Sequence, residues 1–147
     1  AVGAILKELL VEPLPNLRLF LGNGAALTTF FAAEELSTLY LNFSDPWPKT
    51  RHAKRRLTHI SFLNQYQQVL AKQAPLSFKT DNVGLFNYSV PSLSQAGWVI
   101  DDLQVDLHQN RQEMVSNIET EYEQRFSAKG QPIFRVIAHY PYLCSKN

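Results

Sequence analysis

Residues 39–56 constrain this chain more than any other stretch. Leu39-Tyr40-Leu41-Asn42-Phe43 is apolar and aromatic, as a buried strand requires, and Pro46 and Pro48 end it because neither can donate to a ladder. At the break stand Asp45, Trp47 and a cluster of cations: Lys49, Arg51, Lys54, Arg55 and Arg56 fill five of the eight positions from 49 to 56. A strand that ends on an acid, an indole and cations places a site at a sheet rim.

The chemistry follows from the residue types. An ionised Asp45 only accepts hydrogen bonds, and the Watson–Crick edge of guanine presents two adjacent donors at the spacing of one carboxylate. Prolines on both sides fix the backbone around Trp47, and a held indole is a stacking platform for a base. The cation density of 49–56, to which His52 adds a charge below its pKa, suits a phosphate backbone. Each feature also has a plainer reading. A Pro-Trp-Pro turn is equally a rigid loop whose indole caps a core, a basic run is equally a solvated surface, and Asp45 is equally a turn or cap residue. Their adjacency behind one strand points to RNA or DNA.

Asn42-Phe43-Ser44-Asp45-Pro46-Trp47-Pro48-Lys49, followed by Arg51-His52 and Lys54-Arg55-Arg56, resembles the signature of the bacterial tRNA (guanine-N7-)-methyltransferases. Lys79-Thr80-Asp81-Asn82, Asp106-Leu107-His108 and Thr120-Glu121-Tyr122-Glu123 with Phe126, Lys129 and Gly130 are similar to the same family, in the same order. The resemblance implies a class I (Rossmann-like) fold and methyl transfer from S-adenosylmethionine to N7 of guanine 46 in the tRNA variable loop. It also implies roles: Asp45 at the catalytic centre, shared between cofactor and guanine; Asn23 on the cofactor's adenine side, where the family carries an aspartate; Lys49, Asp81, Thr120, Glu121, Tyr122 and Glu123 on the substrate; and Arg51, His52, Ala53, Lys54, Arg55 and Arg56 on RNA. Thr50 replaces a lysine common in the family.

Composition bounds the alternatives. A chain of 147 residues at 45% hydrophobic and 12% aromatic can bury one core, so a single domain over 1–147 is expected. With a net charge of only +1, affinity for a polyanion must come from a local patch, which 49–56 supplies. The lone cysteine, Cys144, forms no internal disulfide and no cysteine metal centre, which fits a reducing compartment. No apolar run reaches the 18 or so residues of a membrane span, and no signal peptide opens the chain. The expectation is a cytoplasmic protein without metal or membrane partner.

Apolar spacing predicts a helix over 1–11, a strand over 17–21, a helix over 25–35, the central strand over 36–43 and a helix over 58–70 capped by Thr58. Strand 75–80, helix 85–96 with Pro91 inside and Gly97 at its end, strand 98–107, helix 116–127 and strand 131–140 follow. That order predicts an α/β fold: a mostly parallel sheet, an antiparallel strand near the C-terminus, and helices on both faces. Asn23, Asp45 and Asp81 each follow a strand and fall on one rim. Only six glycines occur and none forms the Gly-rich cofactor turn; by the resemblance the chain corresponds to the C-terminal two-thirds of the family fold, N-terminally incomplete. The competing reading is a tRNA-binding remnant without catalysis.

Overall fold

In the computed structural model, residues 2–142 are described, so Cys144 lies outside the described residues. Helix α1 (Val2–Val11) forms where the spacing predicts it. None of its residues is buried, and Leu10 is 85% exposed. Residues 17–21 do not form the expected strand. A strand exists through its ladder, and no described strand pairs with them; Phe20 instead packs its ring 4.3 Å from that of Phe30. The helix expected over 25–35 contracts to a 3-10 turn, Gly24–Ala26, and one turn of α2 (Leu27–Phe30).

From residue 39 onward the expected elements are present in the expected order, with one helix, at 111–116, that was not expected. They are β1 (Leu39–Asn42), α3 (Ile60–Val69), β2 (Pro75–Thr80), α4 (Val83–Gln95), β3 (Val99–Gln104), α5 (Arg111–Ser116), α6 (Glu121–Ala128) and β4 (Phe134–His139). Thr58 does not cap α3. His59 does, its ring accepting from Ser61 N–H, while the Thr58 hydroxyl is buried against Ser89 Oγ at 2.6 Å. The helix expected over 116–127 begins only at Glu121, as α6, because Asn117–Thr120 form a loop, and α5 before that loop was not expected.

The sheet order is β1-β2-β4-β3. β1 and β2 are parallel, with Leu39 opposite Leu76 and Asn42 opposite Lys79; β4 is antiparallel to both β2 and β3. Three strands therefore point one way and the reversed one lies between β2 and β3, the α/β pattern expected. β1 is an edge of the described sheet, not its centre.

Alternation sorts the two sheet faces. Leu41, Leu76, Phe78, Val136 and Ala138 face Phe62, Leu63 and Tyr66 of α3 and Leu85, Phe86 and Leu93 of α4, and these residues make the core. Tyr40, Asn42, Ser77, Lys79, Arg135 and Ile137 point the other way. Helices on both faces were expected, and this second face carries α5 and α6, tied to it by Glu113 on Arg135 and Glu123 on Lys79; toward β1 it stays open as a cavity of about 390 Å³, lined by 116–118 and Thr120, that opens at Tyr40, 67% exposed. α1, a helix with no buried residue, does not cover it.

Candidate functional site

Because β1 and β2 are parallel, their carboxyl ends share one rim. Phe43 N–H donates to the Lys79 carbonyl at 2.9 Å, extending the pairing one residue beyond β1. The chain then turns sharply: Phe43 (φ 54°) and Trp47 (φ 43°) both take left-handed backbone, a conformation costly for bulky residues. Tertiary contacts hold both. The Phe43 ring lies 4.8 Å from that of Tyr122, and the Trp47 carbonyl accepts from Arg56 Nε and Nη2 at 3.1 and 3.0 Å. Between them Asp45 is exposed, and its carboxylate has no hydrogen-bond or ion-pair partner among the described residues. An unpartnered acceptor on a strained, clamped loop is free to take a ligand's donors.

The basic run forms a 3-10 turn, Thr50–Arg55, and its cations divide into two groups. Arg56 is a structural clamp: beyond its bonds to Trp47, its guanidinium sits 4.4 Å over the Tyr88 ring of α4. Ser92 Oγ donates to the Thr58 carbonyl at 2.6 Å and fastens the same segment to α4 again. Arg55 stacks 4.9 Å over Trp47, with His52 edge-on to the indole at 5.6 Å, so the held indole presents a composite aromatic and cationic surface. Half-buried Ala53 accepts from Arg56 N–H inside the turn. Lys49, Arg51 and Lys54 are exposed and make no ion pair among the described residues.

Asp81 and the 120–123 segment meet at the end of β2. Tyr122 Oη donates to the Asp81 carboxylate at 3.2 Å; burial, and then the adjacent negative charge, raise the Tyr122 hydroxyl above its usual range. Thr120 caps α6 by accepting from Glu123 N–H, and Glu121 is exposed in the first turn. Glu123 stands apart from its neighbours. It is 0% exposed and accepts from Lys79 Nζ at 2.6 Å, Asn117 Nδ2 at 3.0 Å and His108 Nε2 at 2.8 Å. Burial alone would raise its carboxyl, but these three donors outweigh it and hold the group below the usual carboxylate range. Expected on the substrate, Glu123 instead anchors α6 to β2. Lys79, His108 and Asn117 went unassigned in the sequence; the signal for Lys79 was a lysine inside a strand that is otherwise buried along its length, which requires a paired partner.

Asn23 is not joined to this rim by any hydrogen bond among the described residues. Its Oδ1 accepts from Ala25 N–H at 2.9 Å, capping the Gly24–Ala26 turn. A donor amide is left free, where an aspartate would offer an acceptor. The described residues thus form no cradle for the ribose or carboxylate of S-adenosylmethionine, and the residues present do not fit the whole cofactor. No group of three or more His, Cys, Asp or Glu among the described residues is placed to hold a metal ion, and no helix among them is long and apolar enough to cross a membrane.

A family model described as "Putative methyltransferase" matches residues 1–136. The chain belongs to that family. It is 58% identical over 140 residues to the tRNA (guanine-N(7)-)-methyltransferase of Latilactobacillus sakei subsp. sakei, an alignment covering 95% of this chain and 65% of the relative. The chain spans about 65% of the length of the curated relatives it matches. Among solved structures, the cyclase SpnF superposes with a TM-score of 0.62 at 12% identity, over 97% of this chain and 63% of that one. An rRNA methylase from Streptococcus thermophilus gives 0.54 at 14% identity, over 96% and 68%. At such identities the likeness is one of fold: the α/β sheet with its reversed strand is the methyltransferase sheet.

Proposed function

We propose that this chain carries the guanine-binding and RNA-binding part of a single-domain tRNA (guanine-N7-)-methyltransferase, which transfers a methyl group from S-adenosylmethionine to N7 of guanine 46 in cytoplasmic tRNA. The observation that carries the reading is the exposed, unpartnered carboxylate of Asp45 on a clamped loop, between Trp47 with its cations and the Tyr122–Asp81 pair. The relatives of the same name support it.

N7 of guanine brings its own lone pair, so no proton has to be removed before it reacts, and no residue at the rim is needed as a general base. The remaining tasks are orientation and charge. Asp45 grips the guanine edge and turns N7 outward, and its negative charge stabilises the purine as it becomes cationic. Lys49, Arg51 and Lys54 hold the phosphates on either side, and Asp81, Thr120, Glu121 and Tyr122 close the other flank. Asp45→Asn is expected to lower 7-methylguanosine formation on tRNA by about 100-fold, with the tRNA dissociation constant within about twofold of the parent; an unchanged methylation rate would refute this role.

One observation favours a second reading. Asn23 uses its oxygen in its own cap, and the described residues form no ribose cradle. A chain that binds tRNA with a salt-dependent affinity, yet neither binds S-adenosylmethionine in calorimetry nor forms 7-methylguanosine, would be a tRNA-binding part without catalysis of its own.

A further inference from the structure

Helix α6 carries a row of aromatic rings that lies outside the apolar core. Tyr122 and Phe126, four residues apart, stack with centroids 4.2 Å apart and planes 25° from parallel. Phe43, two residues before Asp45, continues the row at the rim, and Lys129 Nζ caps its far end 5.2 Å over the Phe126 ring. Neither Tyr122 nor Phe126 belongs to the apolar core; the single buried residue of α6 is Glu123, and Tyr122 is 38% exposed. Core packing therefore does not account for these rings. Arg125 and Lys129 are exposed beside them. At about 1.5 Å per residue, the row from Tyr122 to Lys129 extends roughly 10 Å along α6 from its contact with Phe43.

We propose that Phe126 and Lys129 form a second RNA contact: an unpaired base stacks on the outer face of Phe126, displacing Lys129 from the ring onto the adjoining phosphate. The inference rests on the reading of the rim as a tRNA site. Its chemistry is that of any single-stranded nucleic acid, an aromatic face for a base and a cation for the backbone. Along the chain Asp45 lies between Phe43, whose ring joins the Tyr122–Phe126 row capped by Lys129, and Trp47, over which Arg55 stacks, so the loop that carries it is flanked by two aromatic and cationic elements. A guanine drawn out of its stack leaves neighbours whose faces are bare, and both elements offer replacement partners.

The test is fluorescence anisotropy of labelled tRNA titrated with the 147-residue chain at several salt concentrations, with thermal unfolding of each variant alongside. Phe126→Leu keeps the apolar bulk and removes the ring; it is expected to weaken binding roughly tenfold with an unchanged salt slope. Phe126→Tyr is expected to bind as the parent does. Lys129→Ala is expected to lower the log–log salt slope by about one unit or less. Parent affinity in Phe126→Leu, while an Arg51→Ala, Lys54→Ala double variant binds weakly, would overturn this contact and leave the rim reading intact. Should Phe126→Leu fail to fold, an unchanged salt slope in Lys129→Ala overturns it as well. A parent chain that does not bind tRNA overturns both.

Discussion

α1 and α3 are each ten residues long and both repeat apolar side chains at helical spacing, yet only one is part of a core. α3 buries Phe62, Leu63, Tyr66 and Val69 against the sheet, whereas α1, the more apolar of the two, buries nothing. The same contrast divides the chain. Among the described residues none before Leu41 is buried, and every buried one lies between Leu41 and Ala138. Periodicity is a local property that suffices to wind a helix; burial is a relation between two surfaces. Stability is therefore expected to reside almost wholly in 39–142, and so does the candidate site.

The sharpest way to break that contrast is to remove Glu123. Glu123→Ala leaves Lys79, 5% exposed, as a buried charge with only the Asn117 amide oxygen and the Ile118 carbonyl for partners. Breaking such a pair from one side costs about 3–5 kcal/mol, measured as a fall in the urea midpoint. A loss below about 1 kcal/mol would mean that water reaches the pair. The pH dependence has a fixed sign. Glu123 and Asp102, the latter against Arg135, have folded pKa values below the unfolded range of about 3.9–4.3. They stabilise the fold above that range, and the contribution is lost as pH falls through their folded values. Urea midpoints measured downward from pH 5 are expected to drop, and Glu123→Gln is expected to flatten the drop.

A smaller effect is expected inside the core. Leu63→Ala, at a side chain with 0% exposure under the sheet, is expected to cost about 2–5 kcal/mol. A cost under about 1 kcal/mol would show that α3 is as loosely held as α1 and would erase the comparison.

The sequence was most legible where one feature decides a structure. Prolines, caps and alternation located β1, β2, β4 and α4, and the break after β1 located the clamped loop with Asp45. It was least legible wherever the outcome depended on a distant partner. Residues 17–21 read as a strand but have no ladder to join. The Thr120-Glu121-Tyr122-Glu123 segment reads as a helix start, and nothing local reveals that Glu123 turns inward to a lysine 44 positions earlier. Likewise, the run 49–56 reads as one basic patch, while Arg56 is withdrawn from it by Trp47 and by Tyr88, 32 positions further on in the chain.

The smallest expected effect tests the other side of the contrast. Leu10→Ala removes a large apolar side chain from the last turn of α1, the kind of change that is among the most costly when the residue is packed. Here the side chain is 85% exposed, so almost no area is returned to water and no cavity opens. Alanine also has slightly better helix propensity than leucine. The two small terms leave the urea midpoint within about 0.5 kcal/mol of the parent, as for an ordinary surface substitution. A loss of 2 kcal/mol or more on the scale of a core leucine would show that α1 is covered in solution. If the surface it covers is the open sheet face around Tyr40, Tyr40→Ser in the Leu10→Ala background would cost little more than Leu10→Ala alone, because two residues sharing one contact are not additive.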